Sequence, residues 1–145
     1  MIATKPPPSR VRTGLRWLLA LVYFAVGIVH LRTPEAFMPI MPDWVPFPQA
    51  VVLLTGGWEL IGAVLLAWPN TRANWWGGVA MAAYAVAVFP ANIKHAMDGV
   101  ALGGQVLGWG YHASRLAFQP VFVWWALWAG SVIDWPFHRP QRRLH

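Results

Sequence analysis

One charge in the middle of an apolar run limits what this chain can become. From Gln49 to Trp68 the sequence reads QAVVLLTGGWELIGAVLLAW, and Glu59 is its only formal charge. As a helix the run is about 30 Å long at ~1.5 Å per residue, enough to cross a bilayer with Glu59 near the midplane. A bare carboxylate at that depth is costly, so it must be protonated, paired or turned toward a polar cavity. Thr55 lies one turn earlier on the same helical face, and Gly56, Gly57 and Gly62 let a neighbouring helix come close. Glu59 is therefore the leading candidate for function, the plainer alternative being a polar tie between helices.

The remaining sequence suits a membrane. Of 145 residues, 57% are hydrophobic and 11% charged, and there are 11 tryptophans, more apolar surface than a soluble domain of this size readily buries. The formal net charge is +6, but its location matters more than its size: Lys5, Arg10, Arg12 and Arg16 precede the first apolar run, and Arg139, Arg142 and Arg143 follow the last. Basic clusters that flank spans match anionic lipid headgroups, and no nucleic-acid recognition motif accompanies them. The expected partners are the lipid bilayer and other membrane-associated subunits, not nucleic acid. The chain has no cysteine, which excludes disulfides, iron–sulfur ligation and CxxC chemistry by this chain alone. A basic start before an apolar run resembles a signal peptide, yet the run is long and lacks a small-x-small cleavage site, which predicts a retained span.

The pattern predicts an all-α integral membrane protein, a four-helix antiparallel bundle with both termini cytoplasmic. Residues 1–10, with Pro6-Pro7-Pro8, read as a disordered cytoplasmic tail, 11–135 as the transmembrane domain and 136–145 as a basic cytoplasmic tail. The expected spans are approximately 11–31, 49–68, 74–92 and 116–133. Between the first two, Pro34, Pro39, Pro42 and Pro46 forbid a long helix, while Phe37, Ile40, Trp44 and Phe47 are too apolar for a free loop. Such a segment lies flat at the interface and roofs whatever lies below it. A short turn at Arg72 makes the second and third spans antiparallel neighbours. The third, rich in Gly and Ala, is expected at the centre of the bundle, and Pro90 kinks or ends it. Residues 99–114, rich in glycine, read as a loop with at most a short interfacial helix. Lys and Arg are more numerous on the side of the termini, where Arg72 also falls, than on the side of Arg32, Lys94 and Arg115, which sets the orientation.

Depth along these spans groups the polar residues. Tyr23, Glu59 and Tyr84 fall near mid-membrane, whereas His30, Thr55, Asn92, Arg115 and Gln119 fall in the outer half. The inner half has almost none. The expectation is an outward-opening pocket floored by Glu59, with His30, Thr55, Tyr84, Asn92, Arg115 and Gln119 around it. Arg115 is the evident counter-charge for Glu59, acting directly if the helices tilt, or through an intermediary such as His30 or Gln119. His30, His95 and His112 project to the outer side, but no HxxxH pair or other metal-ligand spacing appears, and only His30 is placed for a membrane haem, so no metal is expected. Most tryptophans sit at span ends as an aromatic belt, with Trp58 and Trp124 deeper. A quinone needs a flat apolar slot, donors for its carbonyls and a nearby proton acceptor. Trp58, Tyr23 or Tyr84, His30 and Glu59 are the residues placed to supply them.

The run Gly27-Ile28-Val29-His30, then Pro34, Phe37 and Pro42-x-x-x-Pro46, resembles the opening of DoxX-like membrane proteins. Thr55-Gly56-x-x-Glu59, Phe89-Pro90-Ala91-Asn92 and Arg115-x-x-x-Gln119-Pro120 continue the resemblance, which covers roughly Arg12 to Trp128. It implies a four-helix bundle in a bacterial plasma membrane. That family takes its name from a small membrane subunit associated with thiosulfate:quinone oxidoreductase, and other members are linked to redox or oxidative-stress complexes. By position, His30, Glu59, Asn92, Arg115 and Gln119 correspond to its polar residues. The resemblance implies the small membrane subunit of a redox assembly, with a quinone as the cofactor to consider and any thiol chemistry brought by a partner. If the chain takes part in an enzyme, it does so as a subunit of a membrane oxidoreductase. A non-catalytic anchor or assembly subunit is the alternative. A transport path is disfavoured because the inner half lacks polar residues to complete it.

Overall fold

Ser9 opens the first helix, α1 (Arg10–Arg32): its hydroxyl accepts the Arg12 backbone N–H at 3.2 Å, satisfying one of the donors that a helix start leaves free. The computed structural model describes residues 8–99 and 108–137. α1 ends at Arg32 because Pro34 follows, and the residue before a proline avoids helical backbone. Pro34 begins a 3-10 helix, Pro34–Ile40, and an irregular stretch then leads to α2 (Pro48–Ala67), which Pro48 starts. The Asn70 side chain caps α3 (Thr71–Ala87) by accepting the Arg72 and Ala73 backbone N–H groups at 2.8 and 3.3 Å. Pro90, lacking an N–H, breaks the chain at Val88 into α4 (Phe89–Asp98), and left-handed Gly99 (φ 57°) ends α4.

The fifth helix, α5 (Trp109–Ala129), departs from expectation at both ends. Residues 109–114, expected in a loop, are helical. Gly110 weakens that turn, but Tyr111 and His112 pack against His95 of α4, with ring centroids 6.4 and 4.7 Å away, and this contact outweighs propensity. Gly130 and left-handed Ser131 (φ 60°) stop the helix short of Ile133. The expected tail up to residue 7, the glycine-rich stretch 100–107 and the basic tail from residue 138 lie outside the described residues.

Packing runs in a ring. α1 lies along α2, α2 along α3, α3 along α5, and α5 returns to α1, while the 3-10 segment touches α1, α2 and α4. Leu19, Leu66, Met81, Ala126 and Ala129 form the centre. Outward faces remain apolar, with Leu21, Leu54, Ile61, Val86 and Phe118 all exposed. The described residues are all-helical without a strand, and three helical stretches are long and apolar enough to cross a membrane: Arg10–Arg32, Pro48–Ala67 and Thr71–Asp98. α5, which carries Arg115, Gln119 and Pro120, is not among the three.

The end at which α1 starts and α5 finishes is more polar inside than the depth reading anticipated. Arg12 and Arg16, expected at an interface, are buried at 6% and 9% exposure. Arg12 donates to Asp134 at 2.8 Å and to the Ile133 carbonyl at 3.3 Å, with its guanidinium 4.6 Å from the centre of the Trp128 ring. Arg16 donates to the Asn74 side chain at 2.8 Å, and Asn74 in turn donates to the Leu66 and Trp68 carbonyls that end α2. A long basic side chain can bury its stem while its head finds partners within the protein, and a count of charges by side does not register that.

Where α3 meets α5, a Cβ on Gly130 would lie 2.6 Å from Gly78 Cα and 2.6 Å from the Asn74 carbonyl, so the two backbones touch. Gly130→Val therefore lowers stability by about 1–3 kcal/mol through overpacking. Gly14→Ala, in open space on α1, raises it by roughly 0.5–1 kcal/mol, because alanine is the better helix former. Thermal unfolding of the two variants in detergent checks both signs.

Candidate functional site

Two glycines bring the site together. A Cβ on Gly27 of α1 would lie 2.9 Å from the Gly56 carbonyl of α2, and one on Gly56 would lie 2.8 Å from His30 Cβ. The helices cross closely only because neither residue has a side chain, and the crossing brings the His30 ring beside Glu59. His30 Nδ1 lies 2.8 Å from Glu59 Oε2 and 3.1 Å from the Val26 carbonyl. Nδ1 can carry only one hydrogen for these two oxygens, and Glu59 Oε2 has no hydrogen bond of good geometry among the described residues. The Tyr84 hydroxyl interacts with the same carboxylate, and the Tyr23 and Tyr84 rings meet edge to face with centroids 5.8 Å apart. Glu59 itself is only 1% exposed.

All seven residues anticipated for the pocket, His30, Thr55, Glu59, Tyr84, Asn92, Arg115 and Gln119, line one cavity of about 530 Å³. Its roof is the proline-rich segment: Phe37, Ile40, Pro42 and Trp44 line it from above, and Phe37 stacks on His30 with ring centroids 3.8 Å apart. Asn92 donates to the Gln119 side-chain oxygen at 3.0 Å, and Gln119 donates to the Ala85 carbonyl. These two amides satisfy one another across α4 and α5 and are buried structural members of the wall. The Thr55 hydroxyl donates to the Val52 carbonyl at 2.8 Å.

Two expectations change. The carboxylate's immediate neighbour is His30, while Arg115 turns the other way and its Nη1 meets His95 Nδ1 at 2.9 Å. Arginine can only donate, so His95 accepts there through a neutral ring nitrogen. His95 and His112 are buried, at 0% and 3% exposure, where the start of α5 packs against α4. Trp58 is not a donor to the cavity, since its indole N–H is committed to the Ala80 carbonyl at 3.0 Å on the outer surface of α2 and α3. Among the described residues no group of three His, Cys, Asp or Glu side chains is arranged for a metal.

Trp125 is the residue that the sequence did not single out. It lines the cavity from α5, and its buried indole N–H has no partner among the described residues. Its only signal was position: Phe118 and Val121 face outward, and Trp125 follows Gln119 and Phe122 along the cavity side of α5, but a tryptophan among several near a span end is indistinguishable from belt. Two residues that line the cavity thus carry a buried polar atom, the acceptor Glu59 Oε2 and the donor Trp125 Nε1, with no hydrogen-bond partner among the described residues.

The model of a family described as Domain of unknown function (DUF8561) matches residues 19–130, most of the chain, and the chain belongs to that family. Every cavity residue named above lies within the matched span. No curated protein and no solved structure matches.

Removing the polar neighbour of a buried polar group leaves that group uncompensated. His30→Leu is therefore expected to cost about 1–3 kcal/mol, and adding Glu59→Met restores part of the loss by removing the uncompensated group. Unfolding of the single and double variants in detergent measures the coupling.

Proposed function

We propose that this member of a family without an assigned activity is the small multi-pass membrane subunit of a quinone-linked redox assembly, holding a quinol-class head group beside Glu59. In this proposal α5 is a fourth span, completing a four-helix bundle in a bacterial plasma membrane with both termini cytoplasmic. The helical ring and the length of α5, 21 residues, support the fourth crossing. Arg12, Arg16 and Arg72 at one end support the orientation. The DoxX-like order of motifs supports the redox setting.

The observation that carries the binding proposal is that Glu59 and Trp125, which line one largely apolar cavity, each hold a buried polar atom, Oε2 and Nε1, without a hydrogen-bond partner among the described residues. A buried polar group left unpaired costs about 1–3 kcal/mol, so a ligand that satisfies both is favoured. A benzoquinol has the required form: a flat apolar ring, a hydroxyl that donates to Glu59 and a second oxygen that accepts the Trp125 N–H. At about 530 Å³ the cavity falls within the ordinary range of small-molecule sites, roughly 300–1,000 Å³. The chain binds and orients the head group, the roof excludes water, and Glu59 with His30 beside it holds the proton of the ring hydroxyl. The electron acceptor belongs to the partner subunit.

Binding of a methyl-substituted benzoquinol without a long tail, followed by calorimetry on detergent-purified protein, tests the proposal. Glu59→Met weakens binding by about tenfold or more, and Trp125→Phe by several-fold. Trp124→Phe, whose indole serves the Trp135 carbonyl at 3.0 Å outside the cavity, stays within about twofold of wild type. If wild type does not bind, or if Glu59→Met binds as tightly as wild type, the proposal fails.

A further inference from the structure

A second hollow of about 270 Å³ lies on the outer surface between α2 and α3, lined by Val51, Leu54, Thr55, Trp58, Ala83, Tyr84 and Ala87. Four of these, Val51, Thr55, Tyr84 and Ala87, also line the Glu59 cavity, so one wall of side chains separates the two spaces. Leu54 and Trp58 are exposed on the apolar outer face, which makes the hollow a groove open to the side of the bundle.

The chemistry of the groove differs from that of the cavity. Each of its three polar groups is already engaged. The Thr55 hydroxyl donates to the Val52 carbonyl, the Trp58 indole donates to the Ala80 carbonyl, and the Tyr84 hydroxyl is directed at Glu59. What remains is aliphatic and aromatic surface with no free donor or acceptor. The cavity behind the wall is lined by the two residues that carry the unsatisfied acceptor and donor, and buried Ile40 and Pro42 stand in its roof. One space is fitted to a hydrogen-bonding head and the adjoining one to a hydrocarbon chain.

We propose that the α2–α3 groove is the tail site and lateral entrance for a lipid-tailed ligand, whose head group passes between Thr55 and Tyr84 into the Glu59 cavity while its aliphatic chain stays in the groove. The inference rests on the head-group reading above and adds to it the ligand class, an amphiphile with a long alkyl or prenyl chain, and the route, sideways from the bilayer. The groove adds little affinity of its own, because a hydrocarbon chain leaves one apolar medium for another. Its contribution is clearance, giving the chain somewhere to lie while the head is seated. A bulky residue in the groove therefore penalises tailed ligands selectively.

The experiment compares two probes on the full chain in detergent: a decyl-tailed benzoquinol and the same head group carrying a methyl in place of the tail. Ala83 and Leu54 line the groove but not the cavity, so Ala83→Phe fills the tail path and leaves the head site alone. Ala83→Phe is expected to weaken the decyl probe about tenfold or more and to change the methyl probe by less than about twofold. Leu54→Trp, an independent filling of the same groove, gives the same selective loss. If both probes weaken equally, or the decyl probe binds both variants as it binds wild type, the groove is not the tail site. The head-group proposal then still stands, provided that the methyl probe binds wild type and requires Glu59. If the methyl probe fails to bind wild type at all, both proposals fall.

Discussion

Burial of the Glu59 carboxylate against the His30 ring is the constraint from which most of the architecture follows. Taking a carboxylate out of water is expensive, and the cost is offset only if a polar neighbour is held at short range. The two groups reach 2.8 Å because α1 and α2 cross at Gly27 and Gly56, where any side chain would collide with the facing backbone or with His30 itself. Packing and chemistry are thus set by the same residues. The roof adds to this, since Phe37 lies flat on the imidazole and fixes the plane of the ring from above.

The opposite end of the molecule is held differently. There the Arg16–Asn74 bond ties α1 to the first turn of α3, and the Arg12–Asp134 pair ties α1 to the segment after α5. Asn74 donates to carbonyls that the end of α2 leaves unpaired, so one side chain both anchors a helix terminus and receives a cation. These contacts close the ring of helices below the cavity. Above it, the break at Val88 lets α4 diverge from α3, and the Asn92–Gln119 pair joins α4 to α5 across the gap.

Much of the helical layout can be read from the chain, because it depends on local punctuation: Pro34, Pro48, Pro90 and Gly130 start or stop elements wherever they stand. The composition of the cavity wall was legible as well. Polar residues are so scarce in these spans that depth alone groups His30, Thr55, Glu59 and Tyr84. The pairing within the group was not. Arg115 turns to His95 instead of Glu59 because α5 begins at Trp109 and brings a buried aromatic cluster beside it, and the glycines around that start give no hint of a helix. Trp125 was hidden by abundance, since a lone inward tryptophan looks like its neighbours in a sequence crowded with them. Burial of Arg16 depends on a partner 58 residues away in sequence, which no local pattern records.

The geometry at His30 has a thermodynamic consequence. His30 Nδ1 faces two oxygens, the Val26 carbonyl and Glu59 Oε2, and can give a hydrogen to only one of them. Such a deficit favours whichever form of a ligand carries a hydrogen to give. For the proposed quinol that form is the reduced one, and a site that binds the reduced member of a couple more tightly than the oxidised member raises the potential of the bound couple by linkage. The missing hydrogen would then act as a bias on electron flow, making the bound quinol a more reluctant donor than the same molecule free in the bilayer.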